Sequence, residues 1–515
     1  MKKRTAQRPR PRPPSAVAVI DIGSNSGRVV CYRADAAGQL RILATTRAAL
    51  RLVADVDDRK KISKKSVALT LQALADFRAI ALGAGARRIL AVGTAALRDA
   101  KNGRALLRRV QRELGIRVDL IDGDREAQYG FLGAVRGLPV ERGILFDVGG
   151  GSMQLTRFQG RRALRRVSLP LGALRLSHRF LLSDPPREEQ QHRLRAYVRR
   201  KLEKAGVRRL RPGEELVGTG GTLRNLANVD RRARSYPIAR LHGYLLSRKR
   251  VAEIATLLAS RSLEERERVP GLSDERGDSI VGGALAIETL METLAAERVR
   301  VSGQGVREGL AYSLLGEELP DVAAVRAASI ASLVSRFDTW DAATAGRRRA
   351  LVTALQRGLL PRASLELREA LDHAANLLDV GRSMDFFDRH EHVAEMVVAT
   401  ELLGFSHRDV ALIAAILLAA RQEGRGPRAW SPLLREEDSE AVERAGLLLA
   451  LADDLEERCP KGGVPRLAVK RGRDSVTLRV PDLIAWRSRG LAKRFARRFD
   501  RRLLVRNSRQ TFSEG

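Results

Sequence analysis

The sequence predicts an α/β protein with a duplicated core, followed by an all-α region and a small α+β module at the C-terminal end. Three observations carry this. From residue 17 onward, short apolar runs alternate with helical stretches, the order expected of α/β folds. Residues 17–30 read VAVIDIGSNSGRVV, an apolar strand that ends in Asp and a turn of small polar residues, and the pattern returns at 144–155 as ILFDVGGGSMQL. After about Pro320 the text is nearly all helical pattern down to about Glu457, with no clear strand.

The elements follow in order. Strands are expected around 17–21 and 29–33, a helix over 64–82, a strand over 88–92, a helix over 101–114 and a strand over 118–121. A second cycle opens with strands 143–147 and 153–158. It continues through a helix near 188–205, a strand at 215–218, helices over 247–259 and 278–294, and a strand at 298–302. Beyond the helical region, RLAVKRGRDSVTLRVPDLIAW alternates like short strands around a Gly-Arg-Asp turn, and a basic helix follows near 491–499. The start, MKKRTAQRPRPRPP, lacks the apolar core of a signal peptide and is too rich in Pro and Arg for a helix, so a disordered basic tail is expected. The domain plan is therefore tail 1–15, first α/β domain 16–136, second α/β domain 137–320, helical domain 321–460 and C-terminal module 461–515.

At 515 residues the chain exceeds one core. Its 44% hydrophobic fraction is ordinary for a globular protein, and the text has no unbroken apolar run as long as a membrane span, so a soluble protein without a membrane partner is expected. Cys31 and Cys459 lie far apart and without metal-ligand spacing, which fits a reducing, cytoplasmic setting. Lys and Arg number 94 against 61 acidic residues, a net charge of +33 that favours polyanionic partners. A compositional bias toward Arg gives the same excess, and the sign does not name the polyanion. With 4% aromatics the chain has no evident base-stacking strip, which makes nucleic acid a secondary partner.

In each strand–Asp–turn unit, a carboxylate at the strand end can reach a divalent cation or its water shell. The amides of the small turn residues can point into one concavity and cradle phosphate oxygens. Between the two units, AVGTAALRDAKNG puts Thr94 and Arg98 just after a strand at the start of a helix, where a hydroxyl and a guanidinium can meet an anion. Arg98 alone suits a surface helix equally. In IDGDREAQYGFLGAV, Glu126 falls at a strand-to-helix junction and is the candidate general base for activating water. A Glu at a helix start is also a routine capping residue.

Nine segments in order settle the context: DIGSNSGR, GTAALRDA, DGDREAQYGFLGAV, DVGGGS, LPLGALRL, VGTGGTLRNLA, LHGY, PGLSDERGDSIVGGA and VSGQGVREGL. Together they span about 17–315 and resemble the Ppx/GppA family of exopolyphosphatases and guanosine pentaphosphate phosphohydrolases. The resemblance implies an actin-like (ribonuclease-H-like) duplicated core with its active site in the interdomain cleft. It also implies Mg²⁺-dependent release of terminal phosphate from inorganic polyphosphate, with Mn²⁺ as the alternative ion. Guanosine pentaphosphate is the alternative substrate, and a sensor that binds without turnover is the alternative role. A homodimer is the expected assembly.

Residue by residue, Gly23, Ser24, Asn25 and Ser26 match the family's first phosphate loop, and Gly149, Gly150, Gly151 and Ser152 match the second. Asp21 and Asp147 match its metal-binding acids, Arg98 its phosphate-contacting Arg and Glu126 its catalytic Glu. Arg307 matches a further recurrent position. Gln154 stands where the family has a Glu, and Arg125 where it usually has a second acid; each removes negative charge beside the proposed ion, although Gln154 still offers a carbonyl oxygen to it. The helical region resembles the family's HD-type domain, but Leu378 replaces the His that an HD metal site needs before Asp379. His390 and His392 survive, and a degenerate metal site on a polyanion-binding surface is expected there.

Overall fold

In the computed structural model, which describes residues 15–421, 430–463 and 465–507, strand β1 (Ala16–Ile22) is apolar at almost every position because both of its faces are covered. Ala18, Ile20 and Ile22 pack against Leu74 and Phe77 of helix Lys64–Gly83. Val19, on the other face, meets Tyr129 and Leu132 of helix Gly123–Arg136. Burying each of these large side chains contributes roughly 1.5–3 kcal/mol. The expected basic tail, 1–15, lies outside the described residues except for its last residue.

β1 pairs antiparallel with β2 (Ser26–Ala34), which pairs with β3 (Leu40–Ala49); on its other side β1 runs parallel to β4 (Ala86–Gly93), and β4 to β5 (Val118–Leu120). The order is β3-β2-β1-β4-β5. A second sheet holds β6 (Arg142–Val148), β7 (Met153–Gln159), β8 (Arg162–Leu169), β9 (Glu215–Thr219), β10 (Leu245–Ser247) and β11 (Arg298–Val301), in the order β10-β11-β9-β6-β7-β8. Setting aside β10, the second sheet repeats the first: three antiparallel strands and then two parallel ones. Helix Gly123–Arg136 lies between the sheets. Its Tyr129 and Leu132 enter the core of the first, and its Phe131, Ala134 and Val135 pack with Leu145, Phe158 and Val217 of the second. The element order expected from sequence is present, with β3, β8, β10 and helices that include Leu52–Arg59, Ala173–Phe180, Gly221–Ala233, Leu263–Glu267 and Val306–Tyr312 added to it.

The chain forms two compact units. One takes residues up to Ser235 together with Leu241–Ser329; the other takes Tyr236–Arg240 together with residues from Ile330 onward. Helices of the second unit, among them Ala342–Leu359, Leu365–Leu377, His407–Arg421 and Asp438–Glu457, enclose a core that includes Leu351, Leu371, Ile413 and Leu448. The C-terminal strands β12 (Ala468–Arg471), β13 (Ser475–Arg479) and β14 (Arg502–Arg506) form a three-stranded sheet, and Val476, Leu478 and Phe495 join that same core. Among the described residues, one helix, Lys64–Gly83, has the length and composition to cross a membrane, and here Leu74 and Phe77 bury it against the first sheet. Both cysteines are buried and free.

Candidate active site

The two Asp–turn hairpins close in the same way. In the first, the Gly23 amide donates to the Ser26 carbonyl at 3.1 Å; in the second, the Gly149 amide donates to the Ser152 carbonyl at 2.9 Å. Behind each turn its carbonyls are consumed by the start of a helix. Val53 donates to Ser24 and Arg51 to Asn25, while Ala173 donates to Gly149 and Leu174 to Gly150. The amides of Ser24, Asn25, Gly150 and Gly151 donate to no protein acceptor among the described residues. All four residues line one cavity of about 130 Å³. The loops nearly touch across it: a Cβ on Gly150 would lie 3.2 Å from the Asn25 Cβ, and one on Gly151 2.8 Å from the Ser24 Oγ. That approach leaves little room for a side chain at either position.

Glu126 reaches the same cavity from the first turn of helix Gly123–Arg136. It does not cap that helix. Asp122 does, its carboxylate accepting the Arg125 amide at 2.8 Å, and Glu126 Oε2 is buried without a hydrogen-bond partner. This helix crosses helix Val306–Tyr312 at backbone contact, where a Cβ on Gly133 would lie 1.9 Å from the Gly305 carbonyl oxygen and one on Gly309 1.8 Å from that of Tyr129. The crossing brings Arg307 to the cavity beside Asp21, at 3.7 Å.

Asp21 is the penultimate residue of β1 and Asp147 that of β6, and both line the cavity with Glu126. Burial, together with the charges of Asp147 and Asp21, pushes Glu126 up to about 8. Burial lifts Asp147 to about 6 against the pull of Arg224, and burial raises Asp21 as well. Three desolvated carboxylates that repel one another, one with an orphaned oxygen, fit a bound cation, and an all-oxygen donor set fits a hard one. Among the described residues, no three carboxylate, imidazole or thiol groups converge on one point closely enough to hold an ion by themselves. The acids therefore suit an ion that keeps part of its water shell.

The other charge in the cavity is positive. Arg224, Arg276 and Arg307 line it, and Arg28 stands within their electrostatic reach. Burial, followed by repulsion from Arg307 and Arg224, lowers Arg28 to about 10; burial lowers Arg224 and Arg276 too, with Arg307 and Arg47 respectively adding to the effect. An anion among these guanidiniums would relieve that repulsion. Sequence reasoning missed Arg224 and Arg276 and left Arg307 without a role.

Of the residues singled out from sequence, Asp21, Gly23, Ser24, Asn25, Ser26, Thr94, Glu126, Asp147, Gly149, Gly150, Gly151, Ser152 and Gln154 all line the cavity. Arg98 is outside the lining but stands 3.9 Å from Glu126 and donates to the Ile121 carbonyl at 2.8 Å. Gln154 faces Asp147 across the β6–β7 ladder and donates from its amide nitrogen to Ser152 Oγ at 2.8 Å. Arg125 is different. Its guanidinium turns to Tyr129, Gln128 and Glu317, away from the cavity, so it does not place positive charge beside the three acids. In the helical unit, Asp379 is buried and accepts from Arg348 at 2.7 Å, with Arg382 also 2.7 Å away. Asp453 takes Arg348 at 2.9 Å and Arg389. Guanidinium groups thus meet the carboxylate that an HD site would offer to metal.

A model of the Ppx/GppA phosphatase family matches residues 30–318, and a model of domain III of Ppx/GppA phosphatases matches residues 325–469. Exopolyphosphatase 1 of Mycobacterium leprae is 32% identical over 317 residues, 60% of this chain and 92% of its own. Exopolyphosphatase 1 of Mycobacterium tuberculosis is 30% identical over 318 residues, 61% of this chain and 92% of its own. Among solved structures, the Aquifex aeolicus member of the Ppx/GppA family aligns with a TM-score of 0.52 at 30% identity, covering 58% of this chain and 97% of that one. An exopolyphosphatase from Cytophaga hutchinsonii aligns with a TM-score of 0.54 at 27% identity, over 58% and 97%.

Proposed function

Because this chain belongs to the Ppx/GppA phosphatase family, we propose that it is an exopolyphosphatase that releases terminal orthophosphate from inorganic polyphosphate. The observation that carries this is the division of one cavity into carboxylates with an orphaned Glu126 oxygen, and free amides with partly buried arginines. That division suits a phosphate chain end held beside a water-activating acid. The relatives named exopolyphosphatase support the polymer as substrate. The repeated strand order supports the actin-like reading of the core, and the domain III match supports an HD-like origin for the helices.

In this mechanism the amides of the Gly23–Ser26 and Gly149–Ser152 turns hold the terminal phosphate oxygens. Arg98, Arg224, Arg276 and Arg307 offset its charge. Asp21, Asp147 and the Gln154 carbonyl would hold Mg²⁺ or Mn²⁺, which when bound polarises a phosphoryl oxygen and neutralises charge. Glu126 takes a proton from water as the water oxygen bonds to the terminal phosphorus. The bond from that phosphorus to the bridging oxygen breaks, and the shortened polyphosphate leaves with the bonding electrons. With a cation held by Asp21 and Asp147, Glu126 would fall from about 8 toward the range in which it accepts a proton at neutral pH.

The test is phosphate release from long polyphosphate, short polyphosphate and guanosine pentaphosphate, each with Mg²⁺ and with chelator. Release from polyphosphate that requires the ion and exceeds release from the pentaphosphate supports the proposal. A preference for the pentaphosphate would reassign the substrate, and no release from any of the three would leave a binding protein.

A further inference from the structure

Strands β6 and β7 carry Asp147 and Gln154, paired across the ladder, on the cavity side of the second sheet. Successive residues of a strand face opposite ways. Ile144, Leu155 and Arg157 therefore stand on the other face, in register with Arg165 and Val167 of β8. There they line a groove of about 870 Å³, a size in the range of small-molecule sites. Its floor is aliphatic: Ile144 and Leu155 are buried, and Leu164, 61% exposed, extends the floor toward solvent.

The groove's charge has one sign. Arg157 is neutralised by Glu214, to which it donates at 3.1 Å. Arg165 donates to the carbonyls of Ala205 and Gly206, which fixes its guanidinium without cancelling its charge. Arg208, Arg209 and Arg211 are exposed on the facing loop. Among the described residues, no guanidinium of these four arginines has a carboxylate within 4.0 Å; Glu214 meets Arg211 only at its backbone amide, at 2.8 Å.

We propose that this groove binds a nucleoside polyphosphate, with its base on the aliphatic floor and its phosphates on Arg165, Arg208, Arg209 and Arg211. A bare phosphate chain gains nothing from the aliphatic floor, and an uncharged apolar ligand gains nothing from four unpaired guanidiniums. A ligand with a flat apolar body and an anionic tail uses both. The groove is separate from the cavity, on the opposite face of the same strands, so such a ligand does not compete with the chain end held there.

Calorimetric titration of the full-length protein with ATP, in chelator so that nothing turns over, tests this with and without saturating long polyphosphate. The expected result is that ATP binding survives saturation, that ATP binds more tightly than tripolyphosphate, and that Leu164→Asp removes this preference. The triple variant Arg208→Glu, Arg209→Glu, Arg211→Glu, confined to exposed side chains, should weaken ATP by more than about tenfold and leave phosphate release unchanged. Displacement of ATP by polyphosphate, equal affinity for ATP and tripolyphosphate, or unaltered ATP binding in the triple variant would each overturn the proposal.

Discussion

Gln154 holds, in the second hairpin, the place that Arg28 holds in the first: Asp147 pairs with Gln154 and Asp21 with Arg28 across equivalent ladders. One hairpin thus sets a neutral oxygen beside its acid and the other a cation. Gln154→Glu should lower the Mg²⁺ concentration needed for half-maximal phosphate release, because an added carboxylate attracts a hard cation more strongly, while the rate at saturating Mg²⁺ changes less. An unchanged or raised Mg²⁺ requirement would remove Gln154 from the ion's surroundings. Arg224→Gln should raise KM for polyphosphate by about tenfold, the usual scale for losing a charge-assisted contact, with a smaller effect on kcat. The reverse split, kcat falling at constant KM, would place Arg224 in the chemistry rather than in binding. The turn residues were legible because Asp and small residues recur at fixed spacing, and Glu126 because its segment resembles the family's. Arg224 and Arg276 were not, since in a chain with 94 Lys and Arg no single arginine stands out until the fold collects it.

The crossing of helices Gly123–Arg136 and Val306–Tyr312 carries both Glu126 and Arg307 to the cavity, and it depends on glycine. Gly309→Ala should lower stability by about 2 kcal/mol, the scale of overpacking, and reduce kcat as the helices part. A variant with wild-type melting temperature and kcat would show that the contact is not what positions them. In the helical unit, burial and then the Arg389 charge push His390 down to about 4 from an ordinary 6.5. The fold therefore favours the neutral ring. Its contribution is complete above pH 6.5 and is lost as pH falls toward 4, on the order of 1 kcal/mol by about pH 5.5. Chemical denaturation of wild type and His390→Gln at pH 7 and 5.5 should show the larger acid loss in wild type; equal losses would mean that the ring does not resist protonation. The sequence pattern found the strands whose faces are both covered, such as β1 and β6, as continuous apolar runs. It missed β3 and β8, edge strands that carry Arg at solvent positions and read as polar text.

At the scale of the whole chain, the Mycobacterium relatives match over 92% of their own length to about three-fifths of this protein, and the remaining two-fifths is an addition to the length they match. The change of pattern near Pro320 made that addition visible in the sequence. What could not be read was that Tyr236–Arg240, from the middle of the α/β region, belongs to the helical unit, where Ile238 is fully buried, because such a placement is set by contacts distant in sequence. Ending the chain after Pro320 should weaken binding of long polyphosphate more than of short oligomers and flatten its salt dependence, as loss of distant cationic contacts requires. Equal losses for long and short chains would assign the unit to folding instead. The central claim is that Glu126 activates water against the end of a polyphosphate chain, and phosphate release by wild type and Glu126→Gln in saturating Mg²⁺, with polyphosphate binding measured in parallel, tests it most directly. The account expects release to fall by about 10²–10⁴ in the variant while binding stays close to wild type; a variant that keeps more than half of the wild-type rate would contradict it.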